Sequence, residues 1–262
     1  MKLQRMKFVM VVVCGLVCAS CSMWPFAAKE ATPTEAHKVH WGYSGDVGPE
    51  HWDELSADFA LCGSGTAQTP IDIVPTNSEA LVNPAFQYQS GEVTIVNNGH
   101  TIQANAAADN TMTIDGVTYT LAQMHFHAPS EHTINGVPAA IELHFVHKAA
   151  DGTLAVVGAL VEQGAAANAA WDAYATTLQG LTAESTPATL DWPALLPAEV
   201  MTFRYIGSLT TPPCSEGVHW LVIQTPLQMS AAQIAAFTHI YTGNARPVQN
   251  SNDREVVADN SK

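Results

Sequence analysis

The feature that most constrains the fold of this chain is a series of segments in which apolar and polar side chains alternate with a period of two. These segments are rich in Val, Ile, Thr and aromatic residues, and they span 87–106, 111–128, 139–148, 153–163 and 218–226. A period of two is typical of β-strands, and Asp115-Gly116 and Asp151-Gly152 are typical hairpin turns. The pattern predicts a mainly β (α+β) fold built around a large, mostly antiparallel twisted β-sheet.

Helical periodicity is limited to two stretches, residues 165–180 and 230–243. Ser230 fits the N-cap of the second stretch, and Gly243 fits the position just after its C-terminus. No linker interrupts the middle of the chain, and 262 residues are enough to bury one large core. We therefore expect a single domain with short peripheral helices.

The two ends of the chain are expected to lie outside this domain. Lys2, Arg5 and Lys7 precede an apolar run over residues 8–20, which has the length of a secretory signal and is too short for a membrane span. We expect a signal peptide over 1–21, a linker over 22–36, the folded domain over 37–252 and a flexible tail over 253–262.

Cys21 leaves the processing of the signal open. It follows two small residues, as in the cleavage box of a lipoprotein, so lipidation at Cys21 and plain secretion both agree with the sequence. In either case the protein is expected to be exported, as a periplasmic protein or as a lipoprotein anchored to the outer membrane. Contact with a membrane is expected only with lipidation at Cys21.

The charge of the chain excludes some partners. The formal net charge is -14, from 10 basic and 24 acidic side chains. Such an acidic surface disfavours nucleic acids and anionic lipids as partners, and we find no Gly-rich phosphate loop.

Cys62 and Cys214 are the two cysteines that remain after the expected signal peptide. In an oxidising compartment two remaining cysteines most simply form a disulfide. Two separate buried thiols are the alternative reading of the same residues.

The stretch QMHFH, residues 123–127, raises the question of a metal site. His125 and His127 point to the same face of a strand, because side chains two apart share a face. If the strand that contains His144 lies beside it, a third imidazole joins them. Three histidines without a further protein ligand are typical of a catalytic zinc site with an open position. A single histidine in a strand is more often an ordinary core or surface group, so the prediction depends on all three.

Two further residues are placed to orient these rings. Gln123 lies two positions before His125, and Glu142 lies two positions before His144. Histidines that bind metal usually donate their other N–H to such a group. His147 is three positions from His144 and therefore faces the other way, so we interpret it as structural.

Several motifs together carry a resemblance to a known family. They are HWGYSG (40–45), NNGH (97–100), QMHFHAPSEHT with ELHFVHK (123–133 and 142–148), SLTTPPC (208–214), VHWLVI (218–223) and NARPVQ (244–249). In this order, over about residues 40–250, the chain closely resembles the α-class carbonic anhydrases of the bacterial, exported type.

The resemblance implies a role for each matching residue. His125, His127 and His144 would bind one Zn²⁺ per chain, Thr210 would accept a hydrogen bond from zinc-bound hydroxide, and Glu131 would accept the Thr210 proton. His100 would be the proton shuttle. The implied residues of the carbon dioxide pocket are Val146, Val156, Leu209 and Trp220, with Thr211 for bicarbonate. Trp41 and Tyr43 would form an aromatic pair near the floor of the site.

The implied function is reversible hydration of carbon dioxide to bicarbonate and a proton by a carbonate dehydratase. Sulfonamides and anions are the expected inhibitors. Many relatives of this type are homodimers, although this sequence carries no interface signature. The alternatives are a carbonic anhydrase-like binding module with a residual zinc site, or a purely structural zinc site. The complete set of three histidines, Glu131 and Thr210 favours the enzyme over both.

Overall fold

The computed structural model describes residues 39–107, 109–181, 185–197 and 200–261. The predicted signal peptide over 1–21, the linker over 22–36 and the lipidation site at Cys21 lie outside these residues. No helix in the described ranges is both long and apolar enough to span a membrane. Val39–Lys262 form one structural unit.

The strands found in the described ranges are short at the edges and long at the centre. They are β1 (Asp72–Ile73), β2 (Asn77–Glu79), β3 (Ala85–Gln87), β4 (Gly91–Asn97), β5 (Ile102–Asn105), β6 (Thr111–Ile114), β7 (Val117–His127), β8 (Thr133–Ile134), β9 (Val137–Pro138), β10 (Ile141–Ala149), β11 (Leu154–Gln163), β12 (Ser185–Leu190), β13 (Thr202–Ser208), β14 (Glu216–Ile223), β15 (Leu227–Met229) and β16 (Val257–Asp259). The α-helices are α1 (Trp52–Leu55), α2 (Leu61–Ser64), α3 (Ala169–Gln179), α4 (Trp192–Leu195) and α5 (Ala231–Thr238), with 3₁₀ turns at Gly45–Val47, Pro49–His51 and Ala57–Phe59.

The predicted large sheet is present. Among the described residues, its strands follow the order β12-β4-β5-β7-β10-β11-β14-β13-β16-β2, with β3, β6 and β15 attached at its side. Most neighbours are antiparallel, including β7, β10 and β11 at the centre, whereas β14 and β15 pair with β11 in parallel and β2 pairs with β16 in parallel. The mainly β fold with short helices is therefore confirmed.

The central strand β10 shows how the sequence divides the two faces of the sheet. Ile141, Leu143 and Phe145 are buried in the largest apolar core, which also contains side chains of α3 and α5. The intervening side chains, Glu142 and His144, lie on the opposite face and are buried as well. The face away from the helices is thus the one that carries the polar cluster.

Both predicted helical stretches contain a helix, α3 and α5, but one predicted helix end is wrong. In α3, Trp171, Tyr174 and Leu178 are buried at helical spacing, and the Asn168 side chain caps the first turn. Ser230 caps α5 in a capping box, as predicted. The prediction that Gly243 terminates this helix is wrong. The helix ends at Thr238, and the Gly243 N–H donates instead to the Ala128 carbonyl oxygen at 2.6 Å.

The prediction of a flexible tail over 253–262 is also wrong over most of its length. Strand β16 lies between β13 and β2 in the sheet, and Val256 just before it is 2% exposed. The Val256 N–H donates to Thr76 Oγ1 at 3.0 Å. This segment is held by the burial of Val256 and by the pairing of β16 with two strands, although its sequence is largely polar.

The predicted disulfide between Cys62 and Cys214 is present, and it joins residues 152 positions apart. Both cysteines pack with Trp52 in a small apolar cluster that also includes Trp41 and Tyr43. The disulfide therefore connects the N-terminal helical turns to the loop that follows β13.

Candidate metal centre

Three imidazoles meet on the face of the sheet where β7 and β10 lie side by side. His144 is directly opposite His125 in the antiparallel register, and His127 follows two positions later on β7. One ring nitrogen of each histidine lies within 4.8 Å of the other two. The register therefore brings together the three histidines that the sequence predicted.

In each ring, the nitrogen that faces away from the centre is held by a hydrogen-bond acceptor. The distances are 2.8 Å from His125 Nδ1 to Gln123 Oε1, 2.7 Å from His127 Nδ1 to the Asn244 carbonyl oxygen and 3.0 Å from His144 Nε2 to Glu142 Oε1. Because these acceptors need a proton, the other nitrogen of each neutral ring carries a free lone pair. Gln123 and Glu142 thus occupy the positions that we predicted for them.

The cluster fits a metal ion. Burial lowers the pKa of all three imidazoles, that of His127 to about 4, so the rings are neutral at pH 7. His127 Nε2 is buried without a hydrogen-bond partner among the described residues. Such an atom is costly unless it binds something, and three neutral imidazoles are a donor set that zinc prefers.

Glu131 and Thr210 lie next to the histidines. Glu131 Oε1 accepts the Arg246 backbone N–H at 2.9 Å and lies 3.4 Å from His127 Nδ1, while Oε2 is buried without a partner of full hydrogen-bond geometry. Burial raises the pKa of Glu131 to about 7, although His144 and the Thr210 hydroxyl act in the opposite direction. Thr210 is buried and its hydroxyl contacts the Glu131 carboxylate, so both predicted residues lie beside the histidines.

An apolar wall adjoins the histidines. Val156 and Trp220 are buried in one apolar cluster, and Val146 and Leu209 pack against it. The Trp220 ring lies 4.9 Å from the His144 ring, measured between centroids. Thr211 is half-buried in the loop that carries Thr210. The structure thus brings the predicted pocket residues into one region.

His100 lies apart from the three histidines, in the turn between β4 and β5. Its ring stacks on Trp41, with 3.6 Å between the centroids and 4° between the planes. Burial lowers the pKa of His100, and the nearby His40 lowers it further. Trp41 and Tyr43 also contact each other, with ring centroids 5.6 Å apart. His147 points to the other face, where its Nε2 lies 2.6 Å from the Tyr88 hydroxyl.

Sequence reasoning missed several residues that build the centre. Asn244 holds the His127 ring and also accepts the Ala128 N–H on its side chain at 2.8 Å. Arg246 donates its backbone N–H to Glu131, and its guanidinium is buried against backbone carbonyl oxygens. His132 lies fully buried behind Glu142. Asn244 and Arg246 stand in the NARPVQ motif and His132 in SEHT, so the motifs themselves were the available signal.

A twisted β-sheet with a largely buried three-histidine cluster on one face is the architecture of a metal-dependent enzyme. The family model described as eukaryotic-type carbonic anhydrase matches residues 47–260. The chain therefore belongs to this family, whose members depend on zinc.

Individual relatives agree with the family. A carbonic anhydrase of Pectobacterium carotovorum is 43% identical over 223 residues, which are 84% of this chain and 91% of that protein. The α-carbonic anhydrase of Thermovibrio ammonificans, solved with the inhibitor sulfanilamide, superimposes with a TM-score of 0.79 at 39% identity. That match covers 84% of this chain and 99% of the other.

The same fold also occurs under another name. Dioscorin, solved in complex with ascorbate, is 27% identical and gives a TM-score of 0.78 over 85% of this chain and 99% of the other. A fold does not by itself define an activity, which has to be argued from the side chains of the centre.

Proposed function

We propose that this protein is a zinc-dependent carbonic anhydrase that catalyses the reversible hydration of carbon dioxide to bicarbonate and a proton. One observation carries the proposal: three neutral imidazoles converge, of which His127 and His144 are buried and His125 is partly buried, each with its outer nitrogen already held. His125 Nε2, His127 Nε2 and His144 Nδ1 would hold one zinc ion per chain. When bound there, zinc supplies a Lewis acid that makes water nucleophilic at neutral pH, as is known for this family.

Thr210 and Glu131 would orient the attacking group. A threonine hydroxyl has one proton to donate, and the buried Glu131 carboxylate is the acceptor beside it. Because the Thr210 hydroxyl donates its one hydrogen bond to Glu131, its oxygen can only accept a hydrogen bond from the reacting group. This arrangement favours a nucleophile that still carries a proton, and it fixes the direction of its lone pair.

The apolar wall would receive carbon dioxide. The substrate is uncharged, so side chains such as Val146, Val156 and Leu209 can hold it without a compensating hydrogen bond. Trp220 closes the wall beside the His144 ring. Thr211, one residue after Thr210, would contact bicarbonate as the product forms.

His100 would carry the released proton to solvent. Its imidazole lies in a turn at the protein surface, stacked on Trp41, and its backbone N–H is held by Asn98 Oδ1 at 2.9 Å. An imidazole nitrogen takes a proton on one side and releases it to buffer after the ring turns, and histidine suits this role because its unperturbed pKa is near neutrality.

The buried disulfide supports the proposal that the protein is exported. Cys62 and Cys214 pair, and such bonds persist in oxidising compartments such as the periplasm. Whether Cys21 is lipidated and whether the protein dimerises are decided by mass spectrometry of the mature N-terminus and by light scattering.

Zinc reconstitution tests the proposed activity. The purified full chain is stripped with a chelator, and zinc is added back while carbon dioxide hydration is followed by stopped-flow. We expect activity to rise in proportion to bound zinc, to saturate at about one ion per chain and to be blocked by sulfanilamide. Stoichiometric zinc without hydration would contradict the proposal and favour a binding or structural role.

A further inference from the structure

A chain of buried polar groups extends from His144 along the same face of the sheet to β13. Glu142 Oε1 lies 3.0 Å from His144 Nε2 and 2.6 Å from His132 Nδ1. The Tyr205 hydroxyl oxygen lies 2.6 Å from His132 Nε2 and 3.2 Å from Thr69 Oγ1. All five side chains are buried. We call the part beyond Glu142 (His132, Tyr205 and Thr69) the outer relay.

The outer relay ends at the strand that leads to Thr210. Thr69 Oγ1 accepts the Ser208 N–H at 2.9 Å, and Ser208 Oγ accepts the Thr69 N–H at 2.9 Å. Ser208 is the last residue of β13 and is followed by Leu209 and Thr210. One hydrogen-bonded network therefore joins the third histidine to the segment that carries Thr210.

Two glycines give this network its space. Gly158 is paired with His144 across the sheet, and a Cβ atom there would lie 3.1 Å from Glu142 Oε1. A Cβ atom on Gly207 would lie 2.1 Å from Thr69 Oγ1 and 2.8 Å from Tyr205 Cε2. A side chain at Gly207 would displace the outer relay, and one at Gly158 would press on Glu142.

The contacts of Glu142 show how the outer relay acts on His144. Glu142 Oε2 accepts the backbone N–H groups of Glu131 and His132, at 2.9 and 2.8 Å. Its Oε1 lies between two imidazoles, and the shorter contact is the one to His132. The His132 ring is in turn held at both nitrogens, by Glu142 and by Tyr205. Without the Tyr205 hydroxyl the ring keeps one anchor only and can tilt, and Oε1 moves with it.

We propose that Tyr205 is a positioning residue of the metal centre. Its hydroxyl fixes the His132 ring, His132 holds Glu142 against His144 Nε2, and His144 Nδ1 is thereby presented to the metal. The inference rests on the proposed zinc site and extends it to a residue that touches neither metal nor substrate. Partners behind metal ligands of this kind typically change metal affinity by about 10–100-fold.

The chain offers a matched control for this proposal. Tyr88 makes the same kind of contact on the other face of β10, where its hydroxyl lies 2.6 Å from Nε2 of the buried His147. Tyr205→Phe and Tyr88→Phe each delete one phenol oxygen and leave one imidazole nitrogen without its partner. Only Tyr205 is connected to His144.

The test is the zinc dissociation constant of full-length wild type, Tyr205→Phe and Tyr88→Phe, measured by competition with a chromophoric chelator. Thermal melts of the metal-free proteins accompany it. We expect both variants to lose similar thermal stability, Tyr205→Phe to bind zinc about tenfold more weakly, and Tyr88→Phe to bind like wild type. Equal zinc affinity in all three proteins, or equal weakening in both variants, would overturn the positioning role.

Two further results remain decisive. If Tyr205→Phe does not fold, His132→Asn is used, because its amide can still donate to Glu142 but cannot reach Tyr205. Its expected weakening is again about tenfold, and unchanged affinity would overturn the inference. Failure of the wild-type protein itself to bind zinc would overturn the proposed function, and this outcome is distinct from failure of the variants alone.

Discussion

At the scale of single residues, the direction of each imidazole in the centre is decided by the group behind it. Gln123 and the Asn244 carbonyl oxygen hold the Nδ1 atoms of His125 and His127, whereas Glu142 holds Nε2 of His144. The inner nitrogens are therefore two Nε2 atoms and one Nδ1 atom. Preorganisation of this kind is needed because a ring that is free to turn has to be ordered when metal binds.

Replacement of His144 by Ala tests the third ligand. The change removes one of three nitrogens, so we expect zinc affinity to fall by more than about 100-fold and hydration activity to disappear with it. His147→Ala is the matched control, because His147 lies on the same strand and faces the other way. Metal analysis after dialysis measures both variants, and full zinc retention by His144→Ala would refute the assignment.

Replacement of His100 by Ala tests the proton shuttle. We expect turnover in weak buffer to fall on the order of 100-fold, and added imidazole to restore it. Initial carbon dioxide hydration rates at low and high buffer concentration measure the effect. An unchanged rate in weak buffer would mean that another group carries the proton.

The pH profile gives His100 a second signature. Burial and the neighbouring His40 both lower the pKa of this imidazole, and only the neutral ring accepts a proton. Turnover of the wild type in weak buffer should therefore rise with pH through an inflection below the usual histidine value of about 6.5. The inflection should be absent in His100→Ala.

At the scale of elements, the loop after β13 is held at several points. The Leu209 N–H donates to the Ser215 carbonyl oxygen and the Cys214 N–H to that of Thr211, each at 2.9 Å. The Cys214 carbonyl oxygen accepts the Gln68 side chain at 3.0 Å, and its sulfur is bonded to Cys62. The disulfide thus stabilises the segment that carries Thr210.

Removal of the disulfide should destabilise the whole protein. For the Cys62→Ser, Cys214→Ser double variant we expect a loss of about 2–5 kcal/mol in the free energy of unfolding, because the bond closes a long loop in the unfolded chain. Guanidinium titrations of the wild type with and without reductant, and of the variant, provide the measurement. Coincident midpoints for all samples would contradict this expectation.

At the scale of the whole molecule, the two faces of the sheet have different roles. One face buries the large apolar core against the helices, and the other holds the histidine cluster and the apolar wall. The C-terminal segment contributes to this sheet through β16, which covers the outer edge of β13. The fold therefore depends on residues that follow the last sequence motif.

Truncation tests the role of that segment. A chain that ends at Glu255 loses Val256 and β16, and we expect it to be less stable by about 1.5–3 kcal/mol, the usual effect of burying one apolar side chain. A chain that ends at Asn260 keeps the strand and is the control. Thermal melts compare the two, and equal melting temperatures would show that the strand adds nothing.

The sequence predicted the parts of the fold and the centre that are local. A period of two placed His125 and His127 on one face, and motif resemblance supplied Glu131, Thr210 and His100. The outer relay could not be predicted from the sequence because its contacts join distant residues, such as His132 and Tyr205, which are 73 positions apart. Strand β16 was not predicted for the same reason. Its three residues are too few to show a period, and its partner strands lie elsewhere in the chain.

The central claim is that the three histidines hold zinc, and anomalous X-ray diffraction at the zinc edge tests it most directly. Crystals of the full chain grown with zinc should show one strong peak, about 2.0–2.1 Å from His125 Nε2, His127 Nε2 and His144 Nδ1. A peak instead between His132, Glu142 and His144, the other cluster with metal-binding groups in the described residues, would contradict the account, as would the absence of any peak.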